Sequence, residues 1–129
     1  MIKVRVLQVD QDPENTDELA AGVAAGHTVK DGWQMPMDSA PGDLVVWYAA
    51  GRQRFVARGW VEARPRKVEK GQGQGHGPYR GPVAGMRWIE EVDRKKVIKD
   101  CGFDGGRQSN QTVKDEIAAD FLRSVGLLA

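Results

Sequence analysis

One cysteine, two histidines and the lack of any long apolar run set the first limits on this chain. Cys101 alone excludes an intramolecular disulfide framework, and with only His27 and His76 beside it a zinc site would need several carboxylates. Neither a metal nor a cofactor is expected. Between Val-Ile-Lys-Asp and Gly-Phe, Cys101 reads as a small buried residue and not as a nucleophile. No segment approaches the roughly 20 apolar residues of a membrane span, so no membrane partner is expected. The opening Met-Ile-Lys-Val-Arg-Val carries charge at Lys3 and Arg5 inside its apolar stretch. That pattern reads as a strand, not a signal peptide, and a cytoplasmic location is the expectation.

Catalytic signatures are missing too. There is no Gly-x-Ser-x-Gly elbow, no paired-histidine motif and no Cys-His constellation. The glycine-rich run from Gly71 to Gly77 lacks the Lys-Ser/Thr ending of a phosphate loop. Glu90 and Glu91 are neighbours, but adjacent strand residues point to opposite faces and cannot readily share one proton-transfer site. The chain therefore reads as a binding protein and not as an enzyme.

What is present fits one domain over residues 1–129, expected to be a monomer. The net charge of +1 conceals a segregation: residues 1–51 carry 3 basic and 8 acidic groups, residues 52–99 carry 13 and 5, and residues 100–129 carry 3 and 5. A basic middle inside a near-neutral domain is either an electrostatic footprint for a polyanion or a solvated face. Arg64, Arg66, Lys67 and Lys70, with Arg80 beyond the glycines, are the candidate phosphate contacts.

Periodicity orders the elements. Val4 to Val9 is β-branched enough for a first strand. A helix follows, with Asp12 as cap, Pro13 in the first turn and an end near Gly26, its apolar stripe only Leu19 and Val23. A long connection carries Trp33, Met35 and Met37 into a hairpin, Leu44 to Tyr48 and Gln53 to Ala63, whose alternation sets Trp60 among charged neighbours. Val83 to Val92 is a further strand. Asp93 can cap a short helix that Gly102 stops. After a loop and a short strand or turn, Val113, Ile117, Phe121 and Val125 mark a last helix, with Thr112 and Asp115 as its capping box. Short, largely antiparallel strands with interspersed helices predict an α+β fold, a small mixed β-barrel with flanking helices.

Aromatics cluster in or beside the basic middle. Trp47 and Trp88 suit the core of a small barrel; Trp33, in a loop, and Trp60, on a polar face, suit a ligand better. Stacking a base on such a ring is worth roughly 1–3 kcal/mol.

The run GDLVVWYAAGRQRFVARGWVEARP, Gly42 to Pro65, resembles the central hairpin of EVE domains of the PUA-like superfamily. KVRVLQVDQDP is similar to that family's first strand, Trp33 stands where it tends to have a tryptophan, and GRQSNQTV resembles its Arg-x-Ser segment before the last helix. The resemblance implies a PUA-like pseudobarrel that reads a modified base, foremost 5-methylcytosine in DNA, by flipping it into an aromatic pocket, often beside a restriction system and its partner nuclease. Carried over residue by residue, it places Trp33, Tyr48, Arg107, Gln108 and Ser109 at the pocket, and Trp47 and Trp60 with them. Strand alternation sets Trp33 and Tyr48 as one wall, with Trp47 on the opposite face. Ala49 departs from the polar residue the family often has there. The rival readings are an RNA-binding or RNA-acting ASCH-like protein and a small interaction domain.

Overall fold

The computed structural model describes residues 2–10, 13–68 and 79–129. Lys70 and the glycine run 71–77 fall outside them, as does the expected Asp12 cap. Among the described residues eight strands and three helices follow one another as β1 (Val4–Val9), α1 (Pro13–Ala25), β2 (Trp33–Gln34), β3 (Leu44–Ala49), β4 (Arg54–Val61), β5 (Arg66–Lys67), β6 (Tyr79–Gly81), β7 (Val83–Asp93), α2 (Arg94–Cys101), β8 (Asn110–Thr112) and α3 (Asp115–Ser124). The central sheet runs β7-β4-β3-β1-β8, and a small sheet, β2-β6-β5, stands apart from it. This is the expected α+β pseudobarrel, left open and not closed into a continuous barrel.

Strand alternation sorts the core into two halves. Leu7, Val9, Val45, Trp47 and Ala49 pack on one face of the central sheet with Leu19 of α1 and with Trp33 and Met35. Val4, Val6, Val46, Tyr48 and Phe55 pack on the other with Val97 of α2 and Phe121 of α3. Period-two alternation of two apolar sets along β1 and β3 is what a sheet covered on both sides needs. Phe121 meets Phe55 and Phe103 edge-on at 5.5 and 5.1 Å between ring centroids.

β1 pairs with β3 in parallel, Leu7 opposite Trp47 and Gln8 opposite Tyr48. One strand-helix-strand crossover therefore lies inside a fold whose neighbours were expected to be antiparallel. α1 makes that crossover, and the segment after it brings β2 to the same face. The hairpin β3-β4 is antiparallel with a bulge at Val56, which puts Val56 and Ala57 both into the α1-side core.

Helix ends obey local rules with one exception. Asp93 accepts a hydrogen bond from the Lys95 amide and Gly102 closes α2 in the left-handed region. The capping box expected of Thr112 and Asp115 does not form: α3 starts at Asp115 after Lys114, with no side-chain cap. Thr112 Oγ1 instead accepts from Arg5 Nη1 at 2.8 Å, because β8 pairs with β1 and sets Thr112 directly opposite Arg5.

Candidate nucleic-acid interface

The residues expected in one pocket occupy separate parts of the molecule. Trp33 is 5% exposed and meets Trp47 edge-on, 5.5 Å between centroids. Tyr48 lies across the sheet against Phe55, 5.0 Å between rings, so close under Gly105 that a Cβ there would come within 2.9 Å of its ring. The proposed wall of Trp33 with Tyr48, and Trp47 opposite, is thus corrected. Trp33 shares a face with Trp47 because the segment after α1 returns on that side. Both Trp33 and Tyr48 are core residues, so removing either costs stability. The Trp47 indole N–H is buried with no partner among the described residues. Burial raises the Tyr48 phenol above its ordinary pKa, with Arg94 opposing.

Arg107, Gln108 and Ser109 sit on Tyr48's side of the sheet. The Gln8 amide donates to the Ser109 carbonyl at 2.9 Å, and its side chain donates to the Gln108 carbonyl at 2.9 Å and that of Gly105 at 3.2 Å. Gln8 thereby fastens this loop to the end of β1, with the Arg107 and Gln108 side chains left exposed. Trp60 is 41% exposed among charged neighbours, as alternation predicted, and Trp88, expected in the core, is 52% exposed on the edge strand β7.

Basic residues do converge. Arg64, Arg66 and Arg80 line a cleft of about 700 Å³ together with His27, Lys30 and Asp31 of the segment after α1, and Glu62 at the exit of β4. Lys67, exposed on β5, follows Arg66. His27 and Lys30, on the wall Gly26–Gly32, lie in an aperiodic stretch ahead of the loop tryptophan Trp33, and no sequence pattern marks them. Gly32 has a φ of 88°, and a Cβ there would run into the carbonyl of Gly81, so only glycine lets the two sides of the small sheet close beneath the cleft.

Arg80 is built into the floor. Its Nη2 donates to the Gly32 carbonyl at 2.7 Å and to Glu18 at 3.4 Å, while Nε is buried with no partner among the described residues. Burial holds the Glu18 carboxyl above its ordinary pKa, and Arg80 works against that rise. Arg80 therefore contributes a fixed positive field and has little freedom to follow a ligand.

The upper cations differ. Arg66 reaches Asp31 at 3.7 Å and Lys30 reaches Glu14 at 3.9 Å, all four well exposed. Arg64 has no ion-pair partner among the described residues. Exposed pairs of this kind contribute about 0–1 kcal/mol, so a phosphate can replace the carboxylates at little cost. Elsewhere, Arg94 grips Asp104 through two hydrogen bonds of 2.7 and 2.8 Å, which hold that carboxyl below its ordinary pKa. Among the described residues no group of three His, Cys, Asp or Glu gathers for a metal, and no helix is long and apolar enough to cross a membrane.

The architecture is similar to solved structures over nearly the whole chain. The ASCH protein from Zymomonas mobilis matches with a TM-score of 0.61 and 12% identity, over 98% of this chain and 99% of that one. The YTH domain of Zygosaccharomyces rouxii MRB1, solved in complex with N6-methyladenosine RNA, matches with a TM-score of 0.59 and 11% identity, over 99% and 89%. The fold is PUA-like. Protein Atu2648 from Agrobacterium tumefaciens shares it at a TM-score of 0.60 and 16% identity, over 97% and 94%. No protein-family profile and no curated protein matches the sequence. The PUA-like likeness is one of fold and singles out no EVE branch.

Proposed function

We propose that this chain is a nucleic-acid-binding domain that acts by recognition alone, without a chemical step, and takes a single-stranded segment into the cleft between Gly26–Gly32 and Glu62–Arg66. The observation that carries this is the set of cations Lys30, Arg64, Arg66 and Arg80 around one concavity, against two lining carboxylates, Asp31 and Glu62. Arg80 supplies fixed field, and Lys30, Arg64 and Arg66 are free or loosely paired, as phosphate contacts need to be. A concave site suits unstacked nucleotides better than a duplex surface.

RNA is the first ligand to test, because two similar PUA-like domains were solved with it: the MRB1 YTH domain with N6-methyladenosine RNA and the Mmi1 YTH domain with RNA. The narrower reading, an EVE-type reader of 5-methylcytosine in DNA tied to a partner nuclease, belongs to the same experiment. Binding is measured at fixed low salt for four single-stranded oligonucleotides: RNA with and without N6-methyladenosine, and DNA with and without 5-methylcytosine. RNA binding that weakens with salt and falls in Arg64→Gln and Arg66→Gln is expected. Preference for one modified strand makes the chain a reader of that base. No binding to any of the four removes the proposal.

A further inference from the structure

Beyond the cleft, the outer end of the β4-β7 pair carries a second feature. Trp60 is 41% exposed, and the Arg58 guanidinium lies over its ring, 4.4 Å from the centroid. Arg58 Nη1 donates to the Gly85 carbonyl at 2.6 Å. Gly85, with a φ of 63°, leaves the ring room: a Cβ there would come within 2.8 Å of the indole. The ring is thereby held in one orientation while much of it remains open to solvent.

Arg87 stands directly across from Arg58 in the β4-β7 register, and no described residue pairs with it. Two guanidiniums facing each other across strands repel, and burial together with Arg87 lowers the pKa of Arg58. An anion between them would relieve that repulsion. The feature adjoins the cleft, because Ala84, which lines the cleft, is the cross-strand partner of Trp60.

We infer that a single strand leaving the cleft passes Ala84 and stacks one base on Trp60, with the adjoining phosphate held by Arg87 and Arg58. This rests on the proposed function and extends it: the site gains a nucleotide position outside the cleft that any base can fill, since stacking needs only a π-face. Arg58 is a positioning residue for the indole as well as a contact, and Arg87 is a contact only.

Length dependence tests it. Fluorescence anisotropy at low salt compares a labelled dinucleotide, chosen to stay within the cleft, with a dodecanucleotide of the same base, on the full chain. Trp60→Ala should weaken the dodecanucleotide roughly 5- to 150-fold and leave the dinucleotide unchanged, while Trp60→Phe should restore most of the loss. Arg87→Gln should weaken the longer strand and lower its salt slope by about 0.7, the contribution of one phosphate on a single strand. Thermal melts control for folding: Arg87→Gln touches nothing in the core and removes the repulsion of Arg58, so it must not lower the midpoint. If Arg64→Gln weakens both lengths while Trp60→Ala and Arg87→Gln change neither, or change both alike, the extension is wrong and the cleft stands. If the wild-type chain binds neither length, the cleft reading is lost and this one with it.

Discussion

Arg5 and Arg64 are the same side chain in opposite circumstances. Arg5 has a side chain 3% exposed, on the α1 side of β1, and every nitrogen of its guanidinium is used. Nε and Nη2 donate to Asp43 at 3.1 and 3.0 Å, Nη2 also to the Asp38 carbonyl at 3.2 Å, and Nη1 to Asp38 and Thr112 at 2.9 and 2.8 Å. This ties β1 to the turn before β3 and to β8. Arg64 is exposed on the rim of the cleft and donates to no described residue. A cation with every donor satisfied inside the protein is architecture; one left open beside a concavity is available to a ligand. Arg80 and Arg94 fall between these extremes, so burial alone grades the four by what their removal should do.

Asp43→Ala should give the largest effect. It leaves the Arg5 charge buried with two of its five hydrogen bonds and one of its two carboxylates gone, and such losses run to about 3–5 kcal/mol. Urea denaturation measures it, and a loss under about 1 kcal/mol would make the Arg5 network no different from a surface pair. Arg80→Gln comes next, at about 1–3 kcal/mol, because Glu18 then loses its hydrogen-bonded cation and faces its burial with Lys30 alone. Its pH dependence has a definite sign. Glu18 has a folded pKa raised above its unfolded value, so its contribution is favourable at low pH and is lost as the pH rises through the folded pKa. The Arg80→Gln variant should therefore be most destabilised at neutral pH and recover part of the loss on acidification. Equal losses at both pH values would separate Arg80 from Glu18.

Asp104→Asn should have a smaller effect with the opposite sign. Arg94 lowers the Asp104 pKa, so the stability that this carboxyl supplies is present above the ordinary aspartate value and vanishes as the pH falls through the folded pKa. Melting curves of wild type and variant should differ at neutral pH and converge in strong acid. Arg64→Gln should move stability least of all, with no measurable shift in the urea midpoint. Its effect belongs in binding, where the salt slope for single-stranded RNA should drop by about 0.7. A stability loss without a change in slope would turn the comparison of Arg5 with Arg64 around.

Local rules carried far along this chain. The strands at Val4–Val9, Leu44–Ala49 and Arg54–Val61, α1 ending before Gly26, and α2 between Asp93 and Gly102 follow from β-branching, period and cap chemistry in their own residues. So does the exposure of Trp60, since alternation set it among charged neighbours. The site was legible only in part: Arg64, Arg66 and Arg80 were visible as a basic cluster, whereas the opposite wall, His27 to Gly32, carried no pattern.

Alternation also told that Trp47 and Tyr48 point opposite ways, a property of the pleat that needs no knowledge of the fold. It could not tell which of them Trp33 would meet. That was decided by the side of the sheet on which the crossover through α1 returned, a choice made by packing Leu19, Trp33 and Met35 against residues far off in the chain. Thr112 shows the same division: its neighbours in sequence offered it a helix to cap, and the pairing of β8 with β1 gave it Arg5 instead. Periods and caps are read from residues a few positions apart, so the sequence by itself determined them. Partners brought together across 80 or 100 residues depend on the balance of burial over the whole core, and only the tertiary structure could decide them.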